Sequence, residues 1–323
     1  MQDSYGRNIS YLRLSVTDRC DFRCWYCLPR SHRDFASPEN WLSPVEIERL
    51  ISIFAGLGVR HVRLTGGEPL VRKELLEISR RISSLEGIEE TSLSTNAARF
   101  APVAEELKKA GISRLNISLD SLDPTVFKDM TGGDLSKVLS GIDAAIEHDF
   151  QPVKLNMVVM KGVNDHDVEN MVDFCIEKGV TLRFIETMPI GINGVEASKH
   201  FIPLIEIENR LSKRFKLEPA AMRGSGPAKY FRIDDSPLVI GFITPQSQHF
   251  CDTCNRVRLS VEGDLHLCLG KENKVSLRDM MRQGATDDAI ADTILDGIRH
   301  KPEKHTFDQP ETHVIRPMSA LGG

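Results

Sequence analysis

The stretch CDFRCWYC, residues 20–27, brings three cysteines close together on one short segment. Cys20, Cys24 and Cys27 follow the spacing Cys-x3-Cys-x2-Cys, so their thiolates can converge on one metal centre. A structural zinc site normally has four protein ligands, and a [4Fe–4S] cluster normally has four cysteines. The group therefore predicts either a zinc site that another residue completes, or a cluster whose fourth iron is open to a small molecule.

A second group of three cysteines, Cys251, Cys254 and Cys268, lies near the end of the chain. His249 and His266 are close to it in the sequence, so a zinc site completed by histidine is one interpretation. An iron–sulfur cluster with an open iron is the other. The residues alone leave both interpretations open.

Arg256 and Arg258 follow the second group at a spacing of two, which on a strand places both side chains on one face. Two arginines on a strand usually form a solvated surface, but beside a metal centre they can bind phosphate oxygens together. The chain has a net charge of −5, so an anionic ligand has to be bound by such a local group of basic residues.

The composition is that of a globular protein with one large domain or two smaller ones: 323 residues, 41% hydrophobic and 27% charged. No apolar run is long enough to span a bilayer, and the N-terminus lacks the apolar core of a secretory signal. The acidic balance argues against nucleic acid and membrane partners. We therefore expect a cytoplasmic location, where cysteines are metal ligands or redox groups more often than disulfides.

Strand-like and helix-like segments alternate six times between residue 9 and about residue 185. ISYLRLSV is the first strand, and PVEIERLISIFAGLG is the first helix, beginning at Ser43-Pro44. This alternation predicts a parallel sheet, open or curled into a barrel, with its functional residues at the carboxyl ends of the strands. The residues expected at that edge are Cys20, Gly66–Pro69, Thr95, Asn96, Ser118, Asp120 and Glu186–Met188.

The alternation stops at GSGP, residues 224–227, which we interpret as a linker between two domains, residues 1–223 and 224–323. After it come four short strand-like segments, KYFRI, LVIGFIT, RVRLSV and DLHLCL, and helical segments near 276–284 and 286–299. This order predicts a smaller α+β domain that carries the second group of cysteines.

The first group of cysteines, with an aromatic residue before its last member, resembles the signature of the radical S-adenosylmethionine enzymes. TGGEP, residues 65–69, follows a predicted strand and is similar to that family's loop for the cofactor's amino group. The resemblance implies an incomplete (β/α)6 barrel with a [4Fe–4S] cluster on Cys20, Cys24 and Cys27. It also implies that S-adenosylmethionine binds the open iron, with Tyr26 beside its adenine, and yields a 5′-deoxyadenosyl radical on reduction.

The rest of the chain narrows the resemblance to the GTP 3′,8-cyclases of molybdenum cofactor biosynthesis. The matching segments are, in order, GRNISYLRLSVTDRCDFRCWYC, VRLTGGEPLVR, NISLDSL, VKLNMVVMKGVND, LRFIETMP, GPAKYFRI and FCDTCNRVRLSVEGDLHLCL, followed by the terminal glycine pair. The resemblance implies a second [4Fe–4S] cluster on Cys251, Cys254 and Cys268, whose open iron binds the guanine of GTP. The implied product is (8S)-3′,8-cyclo-7,8-dihydroguanosine 5′-triphosphate, formed when a C3′ radical attacks C8.

Matching the motifs residue by residue implies roles for further side chains. The nucleotide, chiefly its triphosphate, is expected at Arg13, Arg63, Arg183, Arg256 and Arg258, with buried ion pairs as the alternative for the first three. S-adenosylmethionine is expected at Tyr26, Gly67, Thr95, Ser118, Lys154 and Met188. The catalytic residues are expected to be Cys20, Cys24, Cys27, Arg256, Arg258, Gly322 and Gly323. The two glycines are expected to reach into the active site, because only glycine passes between two ligands without side-chain clashes.

Three positions depart from the family's pattern. His61 stands where lysine is common for the triphosphate, Asp21 where asparagine follows the first cysteine, and Ala97 where glycine follows Thr-Asn. Histidine is shorter than lysine and only partly charged near neutral pH. None of the three positions is a cluster ligand.

The resemblance also implies partners: GTP as substrate, a one-electron donor such as a flavodoxin or ferredoxin, cyclic pyranopterin monophosphate synthase as the next enzyme, and a second copy of the chain in a homodimer. Two other functions fit the cysteines, a radical enzyme that uses its second cluster to modify a peptide or another small molecule, and a non-catalytic module organised by zinc. Arg256 and Arg258 favour a phosphorylated substrate over a peptide.

Overall fold

The computed structural model describes residues 1–222, 226–233, 236–307 and 314–322. Its centre is a sheet of six parallel strands that pair in chain order. These strands are β1 (Tyr11–Thr17), β2 (His61–Gly66), β3 (Glu90–Thr95), β4 (Ile112–Ser118), β5 (Val153–Val159) and β6 (Thr181–Glu186). The predicted alternation is confirmed, and the sequential parallel order is that of an incomplete (β/α)6 barrel.

Helices connect these strands across the outside of the sheet. They are α1 (Pro44–Gly56), α2 (Leu75–Ser83), α3 (Ala104–Lys109), α4 (Pro124–Thr131), α5 (Leu135–Glu147) and α6 (Val168–Lys178). The start of α1 is the one predicted from Ser43-Pro44: the Ser43 hydroxyl accepts from the backbone N–H of Glu46, and the Glu46 carboxylate accepts from that of Ser43. Ile47, Leu50 and Phe54 of α1 recur at helical spacing and are buried.

The remaining strands extend both edges of this parallel sheet. They are β7 (Leu217–Ala220), β8 (Lys229–Ile233), β9 (Val239–Ile243), β10 (Arg256–Leu259), β11 (Asp264–His266) and β12 (Lys274–Ser276). β9 pairs with β6 and β10 pairs with β1, both in parallel, so the described strands form one twelve-stranded sheet in the order β12-β11-β10-β1-β2-β3-β4-β5-β6-β9-β8-β7. The two halves of the C-terminal region therefore lie at opposite edges.

One hydrophobic core lies under the whole sheet. It joins Leu12 of β1, Leu155 of β5 and Ile240 of β9 to helices from the end of the chain. The other helices are α7 (Gly191–Ala197), α8 (Leu204–Leu211), α9 (Arg278–Arg282) and α10 (Asp287–Arg299), and α10 packs on α1. The predicted boundary between residues 223 and 224 lies outside the described residues. Among the described helices, none combines the length and the apolarity needed to cross a bilayer.

Candidate active site

The first group of cysteines lies on the loop that follows β1. The backbone N–H groups of Cys27 and Leu28 both donate to the carbonyl of Cys24, at 2.9 Å each, which closes the loop into a tight turn. The N–H of Phe22 donates to the Cys20 sulfur at 3.4 Å. All three thiols are free, and all three line one cavity of about 180 Å³, which we call the first cavity.

These thiols lie in surroundings that fit a positively charged metal centre. Burial raises the pKa of Cys27 to about 12 and also raises those of Cys20 and Cys24, with Glu68 and Asp120 adding negative charge. Such thiols lose their protons when a metal neutralises the thiolates. Three sulfurs that face one cavity, surrounded by carboxylates and without a fourth cysteine, suit a [4Fe–4S] cluster that leaves one iron open.

The glycines of TGGEP let this loop pack against the chain that leads into Cys20. Gly66 has φ +135°, and a Cβ there would lie 2.0 Å from the carbonyl oxygen of Thr17. A Cβ on Gly67 would lie 2.2 Å from the carbonyl oxygen of Arg19. Only glycine allows this approach, and the N–H of Gly67 uses it to donate to Thr17 at 2.9 Å.

Glu68 holds the ends of two strands together at the rim of the first cavity. Its buried carboxylate accepts from the Thr95 hydroxyl at 2.7 Å, from the N–H of Asn96 at 2.7 Å and from the N–H of Leu70 at 3.0 Å. Burial raises the pKa of Glu68 to about 7. The three donors, and not a countercharge, stabilise this carboxylate.

The first cavity also holds most of the residues predicted to bind S-adenosylmethionine. Those that line it are Tyr26, Gly67, Thr95, Ser118 and Met188. The Tyr26 hydroxyl donates to the Asp120 carboxylate at 2.7 Å, and the N–H of Val158 donates to the other oxygen of that carboxylate at 2.9 Å. Lys154, which was predicted in the same set, lies elsewhere.

The second group of cysteines lies in a second cavity, of about 140 Å³. Cys251, Cys254 and Cys268 all line this cavity. The five arginines predicted for the nucleotide line the same cavity: Arg13, Arg63, Arg183, Arg256 and Arg258. The structure thus brings together a set that the sequence distributes over four strands.

Strand register explains how the basic residues meet. Arg13 of β1 pairs with Arg258 of β10 on one side and with Arg63 of β2 on the other. The same row continues through Ser92 of β3 to Arg114 of β4. Paired residues of neighbouring strands point to the same side of a sheet. Four guanidinium groups therefore lie in one row on the face that lines the second cavity.

The arginines of this row are not neutralised by carboxylates, with one exception. In the part of the chain that the structure describes, Arg13, Arg63 and Arg258 form no salt bridge, whereas Arg114 pairs with Glu90 at 2.6 Å. Burial lowers the pKa of Arg258 to about 10. Buried cations in one row repel each other, so the arrangement favours binding of a polyanion.

Arg183 is held by neutral side chains. It donates to the Oδ1 atoms of Asn156, at 2.9 Å, and of Asn116. Arg183 forms no salt bridge among the described residues. Within that part of the chain, the alternative of buried ion pairs therefore does not apply to Arg13, Arg63 or Arg183. Burial lowers the pKa of Arg183 to about 10.

Sequence reasoning did not place three basic residues in the second cavity, Arg114, Lys154 and Lys301. Arg114 was not singled out, although it belongs to a predicted strand and alternates with buried residues. Lys154 was placed with S-adenosylmethionine, but it lines the second cavity, where its Nζ lies 3.2 Å from the Tyr230 hydroxyl. Burial, and then repulsion by Arg183, lower the pKa of Lys154 to about 7.

The two cavities are neighbours. Asn156, Ile185 and Met188 line both of them, and the three residues belong to β5, β6 and the segment after β6. These three shared side chains lie between a ligand in the first cavity and a ligand in the second. The two ligands can therefore contact each other beside these side chains when both are bound.

The C-terminal tail reaches the first cavity. Met318 lines the cavity, and the backbone of Ser319 lies beside the Cys27 thiol, where it counters part of the rise in that thiol's pKa. Gly322 has φ +65°, and a Cβ there would lie 2.1 Å from the Thr65 hydroxyl oxygen. Gly322 thus packs against Thr65, which lines the first cavity, whereas Gly323 lies outside the described residues.

The three unusual positions have local explanations. Asp21 accepts from the Asn96 side chain at 2.8 Å and pairs with Arg99 at 2.8 Å. Ala97 has φ +61°, the left-handed conformation that glycine adopts most easily. His61 lines the second cavity and stacks on Tyr11, with ring centroids 6.1 Å apart.

Two family models match the chain. Residues 14–175 match the Radical SAM superfamily, and residues 180–307 match Molybdenum Cofactor Synthesis C. The first match contains the first group of cysteines and the TGGEP loop. The second contains the other group of cysteines, Arg256 and Arg258.

Relatives match over nearly the whole length. The chain is 47% identical to a GTP 3′,8-cyclase of Hydrogenovibrio crunogenus, over 99% of both chains. It is 44% identical to one of Marinobacter nauticus, over 100% of this chain and 98% of the relative.

Among solved structures, SuiB of Streptococcus suis bound to its precursor peptide SuiA has the same fold, with a TM-score of 0.63 and 16% identity over 97% of this chain and 76% of SuiB. That likeness is one of fold alone. The full-length relatives and the two family models show more: the chain belongs to the GTP 3′,8-cyclase family of radical S-adenosylmethionine proteins.

Proposed function

We propose that this chain converts GTP to (8S)-3′,8-cyclo-7,8-dihydroguanosine 5′-triphosphate in molybdenum cofactor biosynthesis. The observation that carries the proposal is the pair of adjoining cavities. One contains three cysteines with the TGGEP loop, and the other contains three cysteines with a row of arginines. The name shared by the full-length relatives supports the same reaction.

In the first cavity, Cys20, Cys24 and Cys27 would hold one [4Fe–4S] cluster, with S-adenosylmethionine beside Tyr26, Gly67, Thr95, Ser118 and Met188. When bound, this cluster supplies the electron that cleaves S-adenosylmethionine and begins radical chemistry on the substrate. Asp120 fixes the Tyr26 ring through its hydroxyl, and Glu68 fixes Thr95. The protein here positions its ligands and needs no carboxylate as an acid or a base.

In the second cavity, Cys251, Cys254 and Cys268 would hold the second [4Fe–4S] cluster, which leaves an iron open for the guanine. The arginine row offers the triphosphate several guanidinium groups, enough to balance about four negative charges. Because this row reaches from β10 to β4, it can bind the phosphates while the base lies near the cysteines.

We assign Lys154 to GTP and not to S-adenosylmethionine. Its amine lies among Arg183, Arg114 and Arg63, in the second cavity. An ammonium group in that position adds to the binding of a phosphate, whereas the first cavity is lined by carboxylates. Met188, in contrast, lines both cavities and can contact both ligands.

We further propose that two domains, divided between residues 223 and 224, supply different parts of the active site. Residues 1–223 supply the first cluster and most of the arginine row, and residues 224–323 supply the second cluster, Arg256, Arg258 and the glycine tail. A flavodoxin or ferredoxin as electron donor, cyclic pyranopterin monophosphate synthase as the next enzyme, and a homodimer remain parts of the proposal that rest on family resemblance.

The test is turnover by anaerobically reconstituted protein with a reductant, S-adenosylmethionine and GTP. We expect 5′-deoxyadenosine and the cyclised nucleotide in equal amounts. If 5′-deoxyadenosine forms without any cyclised nucleotide, the substrate assignment is wrong. Zinc without iron or sulfide in the anaerobically purified protein would refute the enzyme assignment altogether.

A further inference from the structure

Two histidines and a cysteine form a compact group of metal-binding atoms at one end of the second cavity. A ring nitrogen of His249, a ring nitrogen of His305 and the sulfur of Cys251 all lie within 4.8 Å of one another. The two imidazole rings have centroids 4.9 Å apart. In the described residues, no other group of three such donors from His, Cys, Asp or Glu is as close, and none surrounds the first group of cysteines.

The fold holds two members of this group in place. Arg7 donates to the carbonyls of Cys251, Pro302 and Glu303, at 3.0, 2.7 and 2.6 Å, so it ties the cysteine loop to the segment that leads into His305. His305 is only 6% exposed and stacks on Phe307, with ring centroids 4.1 Å apart.

The third member is accessible from solvent, because His249 is exposed. Sequence proximity had pointed to His249 and His266 as zinc ligands. His266 lines the second cavity but does not belong to the group of three metal-binding atoms. His305 belongs to this group although it is remote in sequence. The sequence offered no signal for His305, since only the contact between two distant loops brings it to Cys251.

A thiolate and two imidazoles are the donors that Zn²⁺ and Co²⁺ prefer, and a tetrahedral ion needs one ligand more. Cys254 and Cys268 line the same cavity as Cys251 and His305 and are the candidates for that ligand. We propose that Cys251, His249 and His305, with one of these cysteines, form a site for Zn²⁺ that competes with assembly of the second cluster. Zinc wins such a competition for nitrogen and sulfur donors against ferrous iron.

The charges permit this occupancy. With two thiolates, two neutral imidazoles and one divalent ion, the site carries no net charge. Among the described residues, no histidine lines the first cavity and no three metal-binding atoms there lie within 4.8 Å of one another, so we expect zinc to bind there less tightly. The two groups of cysteines therefore differ in their response to zinc, although both hold a cluster in the mature protein.

The first experiment is a Co²⁺ titration of the iron-free full-length chain under anaerobic conditions. We expect one equivalent to bind with the intense visible bands of tetrahedral cobalt and a thiolate-to-cobalt charge-transfer band. His249→Ala and His305→Ala should each weaken binding by at least about tenfold. His300→Ala, an exposed histidine beside Asp296, is the matched control and should change nothing.

A second experiment measures competition with the cluster. Chain loaded with one equivalent of Zn²⁺ and then reconstituted should take up about four irons instead of about eight, with the first cluster formed. The triple variant Cys20→Ser/Cys24→Ser/Cys27→Ser should keep the cobalt bands. The proposal is wrong if cobalt gives no tetrahedral spectrum, or if His249→Ala/His305→Ala, folded by circular dichroism, keeps both the spectrum and its affinity. These readouts need no turnover, so they are independent of the proposed reaction.

Discussion

Arg7→Met is expected to cause a large loss of stability. The guanidinium of Arg7 pairs with Asp3 at 2.5 Å, and the two side chains are 5% and 0% exposed. Arg7 also donates to three carbonyls of distant loops, as described above. Removing it leaves a buried carboxylate without its cation and three carbonyls without their donor.

The magnitude follows from these contacts. Breaking a buried ion pair from one side costs about 3–5 kcal/mol. We take about 3 kcal/mol, because the N–H groups of Tyr5 and residue 7 still donate to Asp3. The three carbonyls add about 1 kcal/mol each if water replaces the guanidinium incompletely, which gives about 4–6 kcal/mol in total. With an unfolding entropy of about 2.1 cal/mol/K per residue over 323 residues, the Tm falls by about 6–9 °C.

The assay is thermal unfolding of the iron-free protein, followed by iron analysis after reconstitution. Because Arg7 ties Cys251 to residues 302 and 303, the variant is also expected to lose iron from the second cluster and to retain the first. Arg49→Met is the matched control, since Arg49 pairs with Asp287 at the surface, where the side chains are 35% and 64% exposed. That substitution should cost less than about 1 kcal/mol.

Asp3→Asn/Arg7→Met supplies the decisive comparison. Removing the carboxylate as well should recover about 2 kcal/mol, since no buried charge is then left unpaired. The reasoning fails if the Tm of Arg7→Met lies within about 2 °C of the parent protein, or if the double variant is less stable than Arg7→Met.

Three further predictions concern the tail, the second cavity and the first helix. Gly322→Ala should lower turnover by at least about tenfold at unchanged iron content, because its Cβ would lie 2.1 Å from the Thr65 hydroxyl oxygen. Adding Thr65→Ala to the same chain should restore part of the activity. Unchanged turnover of Gly322→Ala would contradict this prediction. Burial lowers the pKa of Lys154 to about 7, so GTP binding at pH 8 should be accompanied by proton uptake, and the affinity should fall by up to about tenfold per pH unit above 7. Calorimetry in two buffers measures the uptake, and Lys154→Met, the control for titration of GTP itself, should lose it. An equal uptake by both proteins would contradict the assignment. Ser43→Ala removes the capping box of α1 and should lower the free energy of unfolding, measured in urea, by about 1 kcal/mol without loss of iron. A change under about 0.3 kcal/mol would show that the capping box contributes little to stability.

Most of the fold was predictable because its strands are apolar and its helices have clear ends. ISYLRLSV, for instance, shows a strand without ambiguity, and Ser43-Pro44 marks a helix start. The strands β7 and β12 were missed because LEPA and KVS are short and largely exposed, so no apolar pattern marks them. Sequence periodicity alone does not show that β10 pairs with β1.

The candidate site was predictable where a motif gives spacing, and less so where contacts are distant. The cysteines and the TGGEP loop are local signals, and they lie as expected. Lys154 is predicted at S-adenosylmethionine but lines the second cavity, because strand position alone does not say which of two adjoining cavities a residue faces. His305 carries no local signal and Arg114 only its place on a predicted strand, and strand register and loop contacts bring them to the second cavity.

The pairing of β10 with β1 has a consequence for the growing chain. The outer edge of β1 is made at the start of synthesis, but its neighbour is made only when the ribosome reaches residues 256–259. At about 5–20 residues per second, that edge stays uncovered for about 12–50 s. An uncovered parallel strand is prone to association with other chains. A fragment that ends near residue 223 therefore carries an open edge at β1 permanently.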